Sequence, residues 1–179
     1  MDSINKNQPE DNREDLLNTD AIAKIKELVD NAGTCFFCTM QHDGGRTPTR
    51  PMSVQKVDES GVLWFLSASD SHKNREIEMD PHVQLYFQGS AHSDFLELFC
   101  KASVTTDKSI IKELWQPLLK TWFTEGENDP RITALKVEPL EGYYWDNKHG
   151  NAVAGVKMMI GAAIGKTLDD SIEGKLRVR

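Results

Sequence analysis

From Thr34 onward the apolar residues abandon helical spacing and fall into short alternating runs, separated at regular intervals by turn residues. Alternation of period two buries one face of a strand. The run TCFFCTMQ leads into the Gly-containing turn His42-Asp43-Gly44-Gly45-Arg46, and the chain returns through TPTRPMSVQKV. A second turn at Asp58-Glu59-Ser60-Gly61 opens into GVLWFLSA, and VQLYFQ and FLELFCKASV follow as two more strands. Pro48 and Pro51 each remove a ladder donor, so their strand is expected at a sheet edge or at a bulge. Short connections of this kind join antiparallel strands, because parallel strands need long crossovers.

Helices are inserted singly. Ile22, Ile25, Leu28 and Val29 recur at helical spacing after a cap at Thr19 or Asp20, and Asn31 to Gly33 suit the end of that helix. A short polar helix is expected from Ser71 to about Met79, stopped before Pro81. Asp107 caps a longer one, in which Ile110, Ile111, Leu114, Trp115, Leu118, Leu119 and Trp122 form an apolar stripe ending near Gly126. ITALKVEP and EGYYWD read as two further strands, and a Gly/Ala-rich stretch leads to the polar end GKLRVR. The expected class is α+β, mainly antiparallel β, a split β-barrel with flanking helices rather than a doubly wound sheet.

Residues 1–15 are polar and mostly acidic, and are expected to form a mobile arm before a single domain spanning 16–179. With a net charge of −7 and no Lys/Arg cluster, the chain lacks the attraction that a nucleic-acid backbone requires. No apolar run is long enough to cross a bilayer, which takes about 20 residues. The N-terminal residues carry no leader pattern and the three cysteines are an odd number, so a reducing, cytoplasmic setting is expected.

Cys35-Phe36-Phe37-Cys38 has the spacing of a redox or zinc half-site. Residues three apart on a strand point to opposite faces, however, so two half-buried strand cysteines are the expected arrangement. The five histidines show no metal-ligand spacing, and no metal site is expected. One cluster stands out: Ser67-Ala68-Ser69-Asp70-Ser71-His72-Lys73-Asn74, between a strand end and a helix start. Serine hydroxyls, the helix N-terminus, His72 and Lys73 suit a phosphate monoester, and Arg50 on the neighbouring hairpin offers a guanidinium fork. The same pattern also describes a capped, solvated helix start. Trp145, ending EGYYWD before a polar turn, suits either the mouth of a barrel or a core position.

Taken in order, TRPMSVQ, GVLWFLSASDSHKNREIEMDPHVQLYF and GYYWD resemble the FMN-binding split-barrel superfamily of pyridoxamine 5'-phosphate oxidase-like proteins. The layout is most similar to its general stress protein 26-like branch, over residues 16 to about 178. The resemblance implies a homodimer with FMN in clefts at the subunit interface. It places Arg50 and Lys73 on the FMN phosphate, with Ser67 and His72 as further contacts. Met52 and Ser53, with the backbone around Pro51, would line the isoalloxazine ring. Leu66 would flank it, and Trp145 would approach from the partner subunit.

The activity implied is oxidoreductase chemistry through bound FMN in a stress-related flavoprotein, with NAD(P)H or another small molecule as redox partner. The alternative is a flavin carrier or sensor without turnover. Pyridoxamine-phosphate oxidation is the least supported reading: the stretch after Trp145, Asp146-Asn147-Lys148-His149-Gly150, holds no arginine for a substrate phosphate. No residue is identified as catalytic.

Overall fold

A computed structural model describes residues 12–40, 47–150 and 170–178, together with positions 154, 157 and 159. The turn expected at 42–46, residues 1–11 of the expected arm and most of the Gly/Ala-rich stretch lie outside the described residues. After the short strand β1 (Leu16–Leu17), helix α1 (Asn18–Ala32) buries Ala21, Ile25, Leu28 and Val29 along one stripe. It stops where expected, because Gly33 takes a left-handed conformation (φ 66°) and its N–H reaches the carbonyl of Val29.

Strand β2 (Thr34–Thr39) pairs antiparallel with β3 (Thr49–Ser53) on one side and with β6 (His82–Gln88) on the other. β6 continues to β7 (Phe95–Thr105), and β7 to the 16-residue β8 (Ile132–Asn147). β3 is the edge of this sheet, where Pro51 deprives no neighbour of a hydrogen bond. β4 (Lys56–Val57) and β5 (Leu63–Ala68) form a hairpin around the Asp58 turn, whose Oδ1 accepts hydrogen bonds from the N–H groups of Ser60 and Val62.

β8 corrects the expectation of two separate strands. Pro139 cannot donate to the ladder, and the register with β7 slips between Phe99 and Cys100, so that Leu140 is passed over and pairing resumes at Glu141. The bulge is where the fold divides: residues 132–137 of β8 pair with β5, and residues 141–147 with β9 (Ser171–Arg177). The antiparallel sheet therefore splits along one long strand and does not close. Its two arms meet through side chains, as in the edge-to-face contact of Phe37 on β2 with Phe65 on β5 at 5.5 Å. Fully burying side chains such as Phe37, Phe65, Leu85 and Leu98 contributes roughly 1.5–3 kcal/mol each.

Two further expectations change. Residues 12–15, expected in the arm, lie against β9: Glu14 N–H donates to the carbonyl of Glu173, and Glu173 N–H to that of Asn12. Gly174 permits this approach, since an added Cβ would collide with the Glu14 carbonyl. β9 itself is hidden in the sequence because this glycine interrupts the apolar face that Ile172 and Leu176 would otherwise mark. The long helix after Asp107 is the other correction. The cap forms, with Asp107 Oδ1 accepting from Ser109 N–H at 2.8 Å, but α3 covers only Lys108–Leu114. Pro117 forces Gln116 into an extended conformation (φ −125°, ψ 143°) and restarts the chain as a 3-10 helix, Pro117–Thr121, followed by another at Gly126–Asn128. Ile111, Leu114 and Phe123 are buried, whereas Leu118 and Trp122 of the expected stripe face outward.

Candidate functional site

β5 runs directly into helix α2 (His72–Met79), and the edge strand β3 lies close by. Between them opens a cleft of about 580 Å³. Of the residues expected in a binding site, Pro51, Met52, Ser53, Leu66, Ser67 and Lys73 all line it. Thr34, Gln55, Ala68, Leu119, Trp122 and Phe123 complete the lining. Arg50, His72 and Trp145 are not part of it.

The polar end is built on a buried network that sequence spacing alone did not resolve. Asn74 Oδ1 accepts from the Ser67 hydroxyl at 2.8 Å and the Ser71 hydroxyl at 3.0 Å. Its Nδ2 donates to Thr133 Oγ1 at 2.9 Å, and that hydroxyl donates to the Ser67 carbonyl at 3.0 Å. Ser67, Asn74 and Thr133 are all buried, so the network pins the first turn of α2 to the ends of β5 and β8. The Ser67 hydroxyl is thereby engaged inside the protein.

Arg50 is also engaged. Its Nη1 lies 2.8 Å from Glu76 Oε2 and 3.2 Å from Thr39 Oγ1, whose hydroxyl donates to the same carboxylate oxygen. Burial pushes the Glu76 carboxyl up, but the Thr39 hydroxyl and the Arg50 guanidinium outweigh it and hold the group below its usual value. Lys73 contrasts with Arg50: its ammonium has no hydrogen-bond or ion-pair partner among the described residues. Partial burial and then the charge of Arg50 depress its pKa, against the weaker pull of Glu76 and Asp70. An unpaired, half-buried cation at a cleft wall is a place for an anion. His72 is exposed at the start of α2.

Beyond the cation the lining is largely apolar. Gln55, which sequence reasoning did not single out, donates from Nε2 to the Ser53 carbonyl at 3.1 Å, while its buried Oε1 has no partner. Its backbone N–H bonds to Trp64 O, four residues before Ala68, which separates it from the α2 end by roughly 13 Å at the rise of a strand.

Trp145 lines a second hollow, of about 430 Å³, with Phe36, Tyr86, Phe87 and Phe95 among its walls. Phe36 is 59% exposed and Trp145 41%, and Trp145 packs against Tyr143 at 4.6 Å. Thr34 and Pro51 border both hollows, so they adjoin across the edge strand. Cys35 and Cys38 are both buried free thiols, and burial, then the neighbouring Cys38, raises Cys35 to about 12.

The family model described as pyridoxamine 5'-phosphate oxidase like matches residues 20–169. Protein bli-3 of Neurospora crassa is 26% identical over 105 residues, which is 54% of this chain and 50% of that protein, so the chain spans about half of that curated relative. A protein of Jannaschia sp. CCS1 assigned as a general stress protein 26 has the same fold, with a TM-score of 0.72 at 18% identity over 87% of this chain and 96% of the other. The general stress FMN/FAD binding protein of Xanthomonas citri is similar with a TM-score of 0.56 at 22% identity, over 66% of this chain and 82% of that one. Both are split-barrel folds. No helix among the described residues is long and apolar enough to cross a membrane.

Proposed function

The chain belongs to the pyridoxamine 5'-phosphate oxidase like family, and from that premise we propose that it holds FMN in the cleft between β3, β5 and α2 and transfers electrons through it. The observation that carries this reading is the unpartnered, half-buried Lys73 ammonium at the polar end of a long, largely apolar cleft. When bound, FMN supplies a ring that accepts and returns electrons; the protein supplies binding, orientation and charge. Lys73 is the countercharge for the phosphate, and Arg50 adds positive potential from its place on Glu76. Ser67 acts indirectly, by holding the start of α2 in place through Asn74. Pro51, Met52, Ser53 and Leu66 flank the ring, and the unsatisfied Gln55 Oε1 is an acceptor near the far end for a ring N–H once its amide turns.

A homodimer belongs to the same proposal. The aromatic hollow at Phe36, Tyr86 and Trp145 is an apolar surface that fits a second copy, and it borders the cleft at Thr34 and Pro51. A copy seated there brings its own residues next to the ring.

The test is the visible absorption spectrum after incubation with FMN and desalting. Retained flavin bands support the reading, and a colourless protein overturns it. Stopped-flow mixing of the loaded protein with NADH and NADPH then tests electron transfer. Bleaching within seconds supports an oxidoreductase, while flavin that stays oxidised with both leaves a carrier.

A further inference from the structure

We infer that Trp122 is the ring-stacking wall of the cleft, supplied by the same chain that supplies Lys73. The inference rests on the flavin reading above and adds to it the residue that selects a flat heteroaromatic ring. Trp122 reaches the cleft from the 3-10 segment after Pro117, not from the sheet or from α2. The segment is anchored on both sides of the indole's backbone. Phe123 is buried, lies 6.4 Å from Trp115 and belongs to an apolar cluster with Ile111 and Leu114; the N–H groups of Trp122 and Phe123 both donate to Leu119 O. The Trp122 side chain is nevertheless 64% exposed while lining the cleft.

A side chain held this firmly by its backbone, with its large apolar surface left to solvent beside a cleft, is pre-organised to cover something flat. The rest of the lining is of matching character, with Met52 and Leu66 contributed by β3 and β5. Trp145 does not fill this role within its own chain, because it lines the neighbouring hollow and packs on Tyr143.

The experiment is FMN titration of wild type, Trp122→Ala, Trp122→Phe and Lys73→Ala, reading both affinity and the emission of the bound flavin. An indole stacked on flavin quenches its emission, so Trp122→Ala is expected to bind roughly 10-fold more weakly, about 1.4 kcal/mol, and to leave the bound flavin brighter. Trp122→Phe keeps most of the affinity and recovers part of the emission. Trp122 is exposed, so both variants are expected to fold, and circular dichroism verifies this. If Trp122→Ala binds FMN with wild-type affinity and unchanged emission while Lys73→Ala weakens it, the inference fails and the cleft reading stands. If wild type takes up no FMN, both fall.

Discussion

Two hollows adjoin across the edge strand β3, and they differ in what they lack. The cleft at Lys73 has its polar groups largely paired within the protein, leaving the Lys73 ammonium and the Gln55 Oε1 acceptor without partners among the described residues. The hollow at Trp145 is walled by Phe36, Tyr86, Phe87 and Phe95, and among the described residues its lining holds Glu97 but no lysine or arginine. A cation without an anion points to a phosphorylated ligand, whereas an exposed aromatic surface points to another protein surface. Thr34 and Pro51 line both, so the two hollows meet at the edge strand.

Substitutions that strike one hollow and spare the other separate these roles. The largest effect is expected from Phe36→Glu, which sets a charge in the middle of the aromatic surface. The proposed wild-type dimer is expected to sediment as a monomer in this variant, a loss of about 2 kcal/mol or more of association energy. A Phe36→Glu protein that sediments like wild type breaks the assignment of that surface to a second copy. Lys73→Ala is the counterpart in the cleft. It weakens FMN by about 1.5–3 kcal/mol in calorimetric titration, with sedimentation unchanged.

Asn74→Ala tests the support beneath the cation. It strips the Ser67 and Ser71 hydroxyls and Thr133 of a buried partner and costs about 1–3 kcal/mol in denaturant unfolding, with a smaller loss of FMN affinity. Unfolding at the wild-type midpoint would show that the network does not hold α2. The smallest effect concerns pH. Because partial burial and the Arg50 charge hold the Lys73 pKa below its ordinary value, its charge is lost as pH rises through that lowered value. FMN affinity therefore falls on the alkaline side, and Lys73→Arg moves that fall to higher pH, since guanidinium keeps its proton. Identical profiles for the two proteins would remove Lys73 from the phosphate.

Much of the fold was legible because local rules and tertiary packing agree. The alternation in VQLYFQ and FLELFCKASV, Gly33 after α1 and Pro51 on an edge strand each state locally what the sheet requires. Where they conflict, the pattern misled. The apolar stripe from Ile110 to Trp122 satisfied helical periodicity, yet Pro117 in its middle overrides periodicity by removing a donor and excluding helical geometry at Gln116. Attention to that proline would have moved Trp122 out of a helix face. Pro139 suggested a break that the bulge in β8 absorbs.

The site was legible as a list but not as a circuit. Residues 51–53 and 66 came from the family resemblance and 67 and 73 from the Ser/His/Lys cluster as well, and all of these line one cleft, whereas Arg50, His72 and Trp145 do not. The pairing of Arg50 with Glu76 and of Asn74 with Thr133 joins positions distant in the chain, so no spacing rule exposes which of two neighbouring cations is free. Gln55 carries no motif at all; only its unpartnered oxygen draws attention to it.

In the function proposed above, Lys73 would receive the phosphate of a flavin held in the cleft between β3, β5 and α2. Comparing the affinities of FMN and riboflavin for wild type and for Lys73→Ala tests it most directly. Wild type is expected to favour FMN by at least about tenfold, and Lys73→Ala to erase the preference while leaving riboflavin binding unchanged. Equal binding of the two flavins by wild type, or a preference for FMN that survives Lys73→Ala, would contradict it.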